Sequence, residues 1–522
     1  KLKMFATNHE ELINIGYDKL LKENDLDYLL KLSSRLAHQQ VNVKYNPFKV
    51  DKKNLEKCVT QFLIQRTLQT GFNQRILAGL GRKNKELKIA LPKKWLIYLE
   101  EEGFKANTFS NKIRWFGFVL FWFLVGGYKA FISLYQAIKH IVYPSSTPKP
   151  YVYFDNLSSK NIPSNSKKET RTIIDWYIKY GDDDYIELNH QVKSPKITLD
   201  GKDVVAIQLP IKIKLSVAEW LFFLTNTTYF TLKSFFYFLM GDFTHAILLK
   251  EYPLLYLVQK SKKEYLAKKY FFHNSTTIFR PLWTYEAEKK DAEIIFYYYS
   301  TGNSVLKFDK GYQREYGNYK FLSWSKFYVW NTHQKNFVKR YCPKAEIKIV
   351  GPIWFESYHT KLELLNNKKI ISVFDIQPMN EKRFRLLGVP DRYITTPNLI
   401  KFQKDIISVF SQKDVQVILK RKRKEGKDND LEYVSYVNDL YSNDRFKQIP
   451  PEFDAWTIIN KSFLTISYPP TSTANISRFC NINTIYYDPT LTVDPEDEAL
   501  FGVRLIRGID ELNDYVSNEL GL

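Results

Sequence analysis

The spacing of apolar residues changes near residue 148. Before it, apolar side chains recur at helical spacing, as in Leu20, Leu21, Leu26, Tyr28, Leu29, Leu30 and Leu32, which predicts a mainly helical region over residues 1–147. After it, short aromatic and β-branched runs bounded by Gly, Pro, Asn and Asp predict strands over 151–154, 294–299, 347–354, 370–374, 415–419, 463–467 and 484–488. A helical pattern over 399–410 lies between two of them, and this alternation argues for an α/β fold with doubly wound parallel sheets. Residues 362–369 read as a connection, so one α/β domain is expected over 148–362 and a second over 370–522, closed by an amphipathic helix at 509–520.

Two stretches break the alternation. Residues 115–128 are uncharged and aromatic between Arg114 and Lys129, and the apolar character continues to Tyr143. A second such run, 220–240 within an aromatic helical insertion at 217–250, is interrupted by Lys233. The first uncharged core is shorter than the roughly 20 residues a spanning helix needs. Two readings fit: helices buried in a large domain, or helices lying in a headgroup layer with basic flanks. The formal charge of +21 favours attachment to an anionic membrane surface. The start of the chain has Lys1 and Lys3 but no long apolar core, so no cleavable leader is expected.

A length of 522 residues suits two domains plus an addition, and 44% hydrophobic content is enough for packed cores. Cys58, Cys342 and Cys480 stand far apart, which excludes a disulfide scaffold, makes a cysteine zinc site improbable and fits a reducing compartment. The positive charge calls for an anionic partner. No zinc finger, RNP signature or suitably framed GXXG loop is present, so no nucleic-acid partner is expected. A P-loop and a GxSxG elbow are also missing. Asp182, Asp183 and Asp184 read as a surface turn, and no metal is expected.

The stretch with the clearest chemistry is 463–489. Pro469 and Pro470 end a strand, and Thr471, Ser472 and Thr473 open a helix. Such hydroxyls either cap the helix or, with its spare N–H groups, hold an anion such as phosphate. The basic run from Lys420 ends a predicted strand and should face the same crevice, with Lys420 and Lys422 as candidate phosphate contacts. Asp155 and Asp375 follow the first strand of each domain; Asp155 also suits a turn. His273, Arg280 and Glu286 fall in one short segment, as candidate acid, anion clamp and base or nucleophile.

Thr471–Thr473 followed by the short strand at 484–488 resembles the end of the nucleotide-binding domain in GT-B glycosyltransferases of bacterial surface-polysaccharide assembly. The resemblance is to those using CMP-activated acidic sugars, the sialyl-, Kdo- and nonulosonic-acid transferases. It covers about residues 148–515 and implies a GT-B-like fold, two Rossmann-like domains facing a cleft, with a helical membrane-associating region before them. It also implies a metal-independent enzyme without a cofactor, taking a CMP-linked donor and a surface-glycan or lipid-linked acceptor of a lipopolysaccharide, capsule or O-antigen. Thr471, Ser472, Thr473, Lys420 and Lys422 would hold the donor phosphate, Arg280 the sugar carboxylate, and Asp155, Glu286, His273 or Asp375 would be catalytic. The enzyme would be cytoplasmic, peripheral to the inner face of the bacterial cytoplasmic membrane. The Lys-Arg-Lys-Arg run departs from the usual Lys-Pro-His-type ending. A polyol-phosphate transferase of the teichoic-acid type and a non-catalytic assembly scaffold are the alternatives.

Overall fold

The computed structural model describes residues 23–39, 41, 43–68, 71–82, 84–142, 148–163, 170–181, 187–273, 278–301, 306–308, 317–353, 356–357, 365, 367–378, 393–421, 429–451 and 453–522. Its first sheet has eight strands: β1 (Tyr151–Phe154), β2 (Glu187–His190), β3 (Ile197–Leu199), β4 (Lys202–Ala206), β5 (Lys269–His273), β6 (Glu293–Tyr297), β7 (Lys326–Val329) and β8 (Glu346–Ile349). Their order is β3-β4-β2-β1-β5-β6-β7-β8, and all neighbours are parallel except β3 with β4.

The second sheet contains β9 (Lys369–Phe374), β10 (Val415–Lys420), β11 (Phe446–Ile449), β12 (Leu464–Ser467), β13 (Asn483–Asp488) and β14 (Arg504–Arg507). The order is β11-β10-β9-β12-β13-β14, all parallel, which is the 3-2-1-4-5-6 order of a dinucleotide-binding domain. All six residues of β10 are buried, because helices cover both faces of a parallel sheet. One of these helices, Thr396–Phe410, sets Leu399, Phe402 and Ile406 into the core, and Thr395 caps its start through the Asn398 N–H.

In both sheets the winding reverses beside the first strand, between β1 and β5 and between β9 and β12. Crevices form outside the carboxyl ends of strands at such points, where ligands of open α/β sheets gather. Two Rossmann-like sheets with these edges turned toward one another make the α/β, GT-B-like architecture expected from the sequence.

The N-terminal helices share one apolar core with the first sheet. Gln61 joins them to it: its amide donates to the Phe321 carbonyl at 2.5 Å and the Ser323 hydroxyl at 2.8 Å, and its oxygen accepts the Arg280 N–H at 3.0 Å. Two long apolar helices, α1 (Phe109–Val142) and α2 (Val217–Leu239), lie antiparallel, with Phe116 stacked on Phe238, Phe123 against Phe235, and the Trp220 indole donating to the Leu134 carbonyl. At Gly126, α1 presses on the 249–250 backbone: a Cβ there would stand 2.7 Å from Leu249 Cβ and 3.0 Å from Lys250 N. Gly127 has open space at the same point.

Gly126→Ala should therefore lower stability by about 1–3 kcal/mol through overpacking. Gly127→Ala should be neutral or raise stability by up to about 1 kcal/mol through helix propensity. Thermal melts of the pair check this, and equal melts would show that α1 is not seated at Gly126.

Candidate active site

Strand β12 ends at Ser467, and Tyr468, Pro469 and Pro470 turn the chain into helix α3 (Ser472–Phe479), with a cis bond between the prolines. Thr471 is extended at the N-cap position, but its side chain accepts no N–H from the helix. Its hydroxyl instead lies 3.0 Å from that of Thr473, which lies 3.3 Å from the Ser467 hydroxyl. The Thr471 carbonyl accepts the Tyr486 hydroxyl at 2.6 Å, fixing the turn. The first turn of α3 thus keeps spare N–H groups beside a chain of hydroxyls, a setting suited to an anion.

Ser472 faces the other way. Its Oγ accepts the Thr301 N–H at 2.9 Å and lies 3.3 Å from the Thr301 hydroxyl, just beyond β6. Asn331, beyond β7, donates to the Asn475 side chain at 3.1 Å. These contacts dock the start of α3 on the carboxyl edge of the first sheet. A cavity of about 300 Å³ opens beside them, between Trp330, Asn331, His333 and Pro352 on one side and Asn475, Arg478 and Phe479 on the other. Gly351 permits the close approach: its φ is +77°, and a Cβ would stand 2.7 Å from the Phe479 ring.

On the second-sheet edge, Asp375 directly follows β9 and is buried. One carboxylate oxygen accepts the Tyr433 hydroxyl at 2.6 Å, and the other has no hydrogen-bond partner. Burial raises its pKa, opposed by the Tyr433 bond and by Arg421 and Lys420 nearby. Lys420 ends β10 at this edge as expected, but its ammonium is turned inward to the carbonyls of Arg421 at 2.8 Å and Pro451 at 3.1 Å. Lys420 thus anchors main chain at the strand end where a phosphate contact was expected. Lys422 and Asp182, Asp183 and Asp184 lie outside the described residues.

On the first-sheet edge, Asp155 follows β1 and His273 ends β5, so the two flank the reversal point. The Asp155 N–H donates to the Phe271 carbonyl at 2.9 Å, and His273 Nε2 lies 3.0 Å from the Asn156 carbonyl. Part of Asp155 still reaches solvent, but dense packing and then the Glu251 carboxylate push its pKa up to about 7. Burial pushes the His273 imidazole down. His190, at the end of β2 and in register with Phe154, was not singled out from sequence; burial lowers it to about 4, so it is neutral at neutral pH. Its place at the end of the alternating Glu187-Leu188-Asn189-His190 run was the available signal.

Two expected residues do not reach this edge. The Arg280 guanidinium is buried and engaged at all three nitrogens, with Thr284 at 3.0 Å, the Ser323 carbonyl at 2.7 Å and Glu288 at 2.7 Å, above the Tyr285 ring. It pins the 280–288 segment and is not placed for a sugar carboxylate. Glu286, proposed from sequence as a base, lies on the short helix Trp283–Glu288 and pairs with Lys289 at 2.6 Å.

Arg280→Met should cost about 3 kcal/mol of stability, since it strands buried acceptors, and leave nucleotide affinity unchanged. Lost affinity in a stably folded variant would restore Arg280 to the site. For Asp155 the folded pKa lies above the unfolded value, so the folded chain binds the extra proton and this residue's contribution to stability falls as pH rises from about 4 to about 7. The melting temperature of Asp155→Asn relative to wild type should therefore rise between pH 5 and pH 8. A difference that does not change with pH would contradict the raised value.

The polysaccharide biosynthesis PFTS motif family matches residues 230–516, more than half of the chain. No curated protein matches. Similar solved structures include UDP-GlcNAc 2-epimerase from Methanocaldococcus jannaschii, with 12% identity over 71% of this chain and 92% of that one and a TM-score of 0.36. The α,α-trehalose 6-phosphate synthase of Burkholderia multivorans has 7% identity over 72% and 91%, with a TM-score of 0.39. The glycotransferase of kitacinnamycin has 9% identity over 71% and 90%, with a TM-score of 0.35. These likenesses are too distant to transfer a substrate or a residue's role. The chain belongs to the polysaccharide biosynthesis PFTS motif family.

Proposed function

We propose that this protein is a glycosyltransferase of polysaccharide biosynthesis, moving an acidic sugar of the Kdo or nonulosonic type from a CMP-activated donor to a surface glycan or a lipid-linked acceptor. The observation that carries the reading is the start of α3, where the Thr471 and Thr473 hydroxyls are not used to cap the helix and stand at the β9/β12 reversal point. Family membership supports the polysaccharide pathway, and the choice of CMP rests on the sequence resemblance.

Breaking the anomeric C–O bond leaves negative charge on the departing phosphate. The N–H groups opening α3 and the two threonine hydroxyls take up that charge, a preorganised donor set acting where charge develops. They do the work a metal would otherwise do, so no metal is required. Asp155, with its pKa near 7, suits a general base for the acceptor hydroxyl, whose oxygen forms the new bond to the anomeric carbon. His273 beside it orients the loop after β1 through the Asn156 carbonyl. The free oxygen of Asp375 can accept a nucleoside hydroxyl. The enzyme works peripherally at the inner face of the cytoplasmic membrane, where a lipid-linked acceptor is presented.

Replacing Thr471 and Thr473 together by Val should weaken CMP binding by about 100-fold or more, since each hydrogen bond to a charged group is worth about 1.5–3 kcal/mol, with little change in melting temperature. Calorimetry with CMP and thermal shifts with CMP, UDP, GDP and CDP-glycerol check it. Stabilisation by CMP supports the reading. A response to UDP alone would change the donor, CDP-glycerol alone would indicate polyol-phosphate transfer, and silence to all four would overturn nucleotide binding.

A further inference from the structure

Helices α1 and α2 are apolar on opposite sides at once. Toward the protein, α1 sets Phe118, Val119, Gly126, Ala130 and Ala137 into buried positions, which takes up one of its faces over most of its length. Toward solvent it shows Phe109, Ile113, Phe116, Leu124, Tyr128 and Phe131, spaced by three, four or eight residues so that they form one stripe. The outer stripe of α2 includes Leu221, Phe222, Tyr229, Leu232 and Phe236. Of the 25 large apolar side chains exposed among the described residues, 16 lie on these two helices, eight on each. Because the helices pack side by side, the stripes join into one surface, and a contiguous exposed apolar patch of this kind marks an interaction site.

The charges identify what covers it. Helix α1 contains no Asp or Glu, and its Lys112 and Lys129 are exposed, Lys112 flanking the outer stripe. The one acid on α2, Glu219, is tied into a capping box with Ser216. A basic, aromatic, apolar surface fits an anionic bilayer, with rings at headgroup level and ammonium groups on the phosphates.

Composition alone would let α1 span a membrane: an 18-residue window within Phe109–Ile138 has a mean hydropathy of 1.6. The fold opposes this. Before α1, Lys105 bridges Glu86 and Phe104 and Ala106 are buried; after it, Tyr151 opens β1 within the first sheet. Both ends therefore belong to one globular body. A crossing would place them on opposite sides of the hydrocarbon and strip the helix from the buried face it already uses.

We propose that α1 and α2 form a monotopic membrane-docking face, lying in the plane of an anionic leaflet with both ends on the same side. This deepens the peripheral location given above and does not depend on the identity of the donor.

The full chain should co-sediment with vesicles of phosphatidylglycerol and phosphatidylcholine and bind phosphatidylcholine alone more weakly. Leu124→Asn, Phe222→Asn and Phe236→Asn replace side chains that are 61%, 66% and 64% exposed and so have little packing to lose. Combined, they should cut vesicle partitioning by about tenfold or more while leaving melting temperature and nucleotide affinity unchanged. In a Cys480→Ser background, Lys105→Cys and Lys149→Cys should both react with an impermeant maleimide added outside the vesicles. Protection of one of them by the bilayer would mean a span. Absence of vesicle binding, or a stable dimer that the triple variant dissociates, would overturn the proposal. Unchanged CMP binding in any of these outcomes leaves the transferase reading standing.

Discussion

The structure depends on the docking of one helix start against the opposite sheet. Ser472 opens α3 in the second domain, and its hydroxyl accepts an N–H from Thr301, just past β6 in the first. Asn331 and Asn475 extend the contact by one more pair. Neutral hydrogen bonds of this kind contribute only about 1 kcal/mol each, so the arrangement is held by many small terms. The 307–308 segment crosses over as well, with Phe308 bridging Val493 and Lys307 pairing with Asp494. Such a seam suits a cleft that must admit and release ligand.

The placement of polar groups follows from the winding of the sheets. A parallel sheet covered on both faces has apolar strands, so chemistry concentrates where the strands stop. Asp155, His190 and His273 stand at the ends of β1, β2 and β5, and Asp375 and Lys420 at the ends of β9 and β10. Burial then sets their charge. It raises Asp155 and Asp375 and lowers both histidines, so neutral forms are favoured at both edges, opposed at Asp375 by the nearby Arg421 and Lys420. The α3 start differs because its donors are backbone groups, which carry no net charge to desolvate.

Local pattern made much of this legible. The strands expected at 370–374 and 415–419 run Lys369–Phe374 and Val415–Lys420, because fully buried parallel strands are nearly all apolar. The turn at Pro469 and Pro470 was readable because proline cannot continue a strand interior. Side-chain direction was not. Arg280 and Lys420 carry the right chemistry, but their partners, Ser323 and Pro451, are set by packing that spacing does not encode, whereas the Glu286–Lys289 pair is three residues apart and readable from spacing. The Thr301–Ser472 contact joins residues 171 apart, and no periodicity could have paired them. The two apolar helices were ambiguous in sequence because each has two apolar faces, and only the fold shows which face is already used.

Backbone hydrogen exchange with and without CMP reports on the start of α3 itself. Slowed exchange is expected at the amides of Ser472, Thr473 and Ala474 and around Asp375, with the outer faces of the sheets unchanged. Unaltered exchange at the start of α3 when CMP is bound elsewhere would contradict the assignment of the donor phosphate to this helix start.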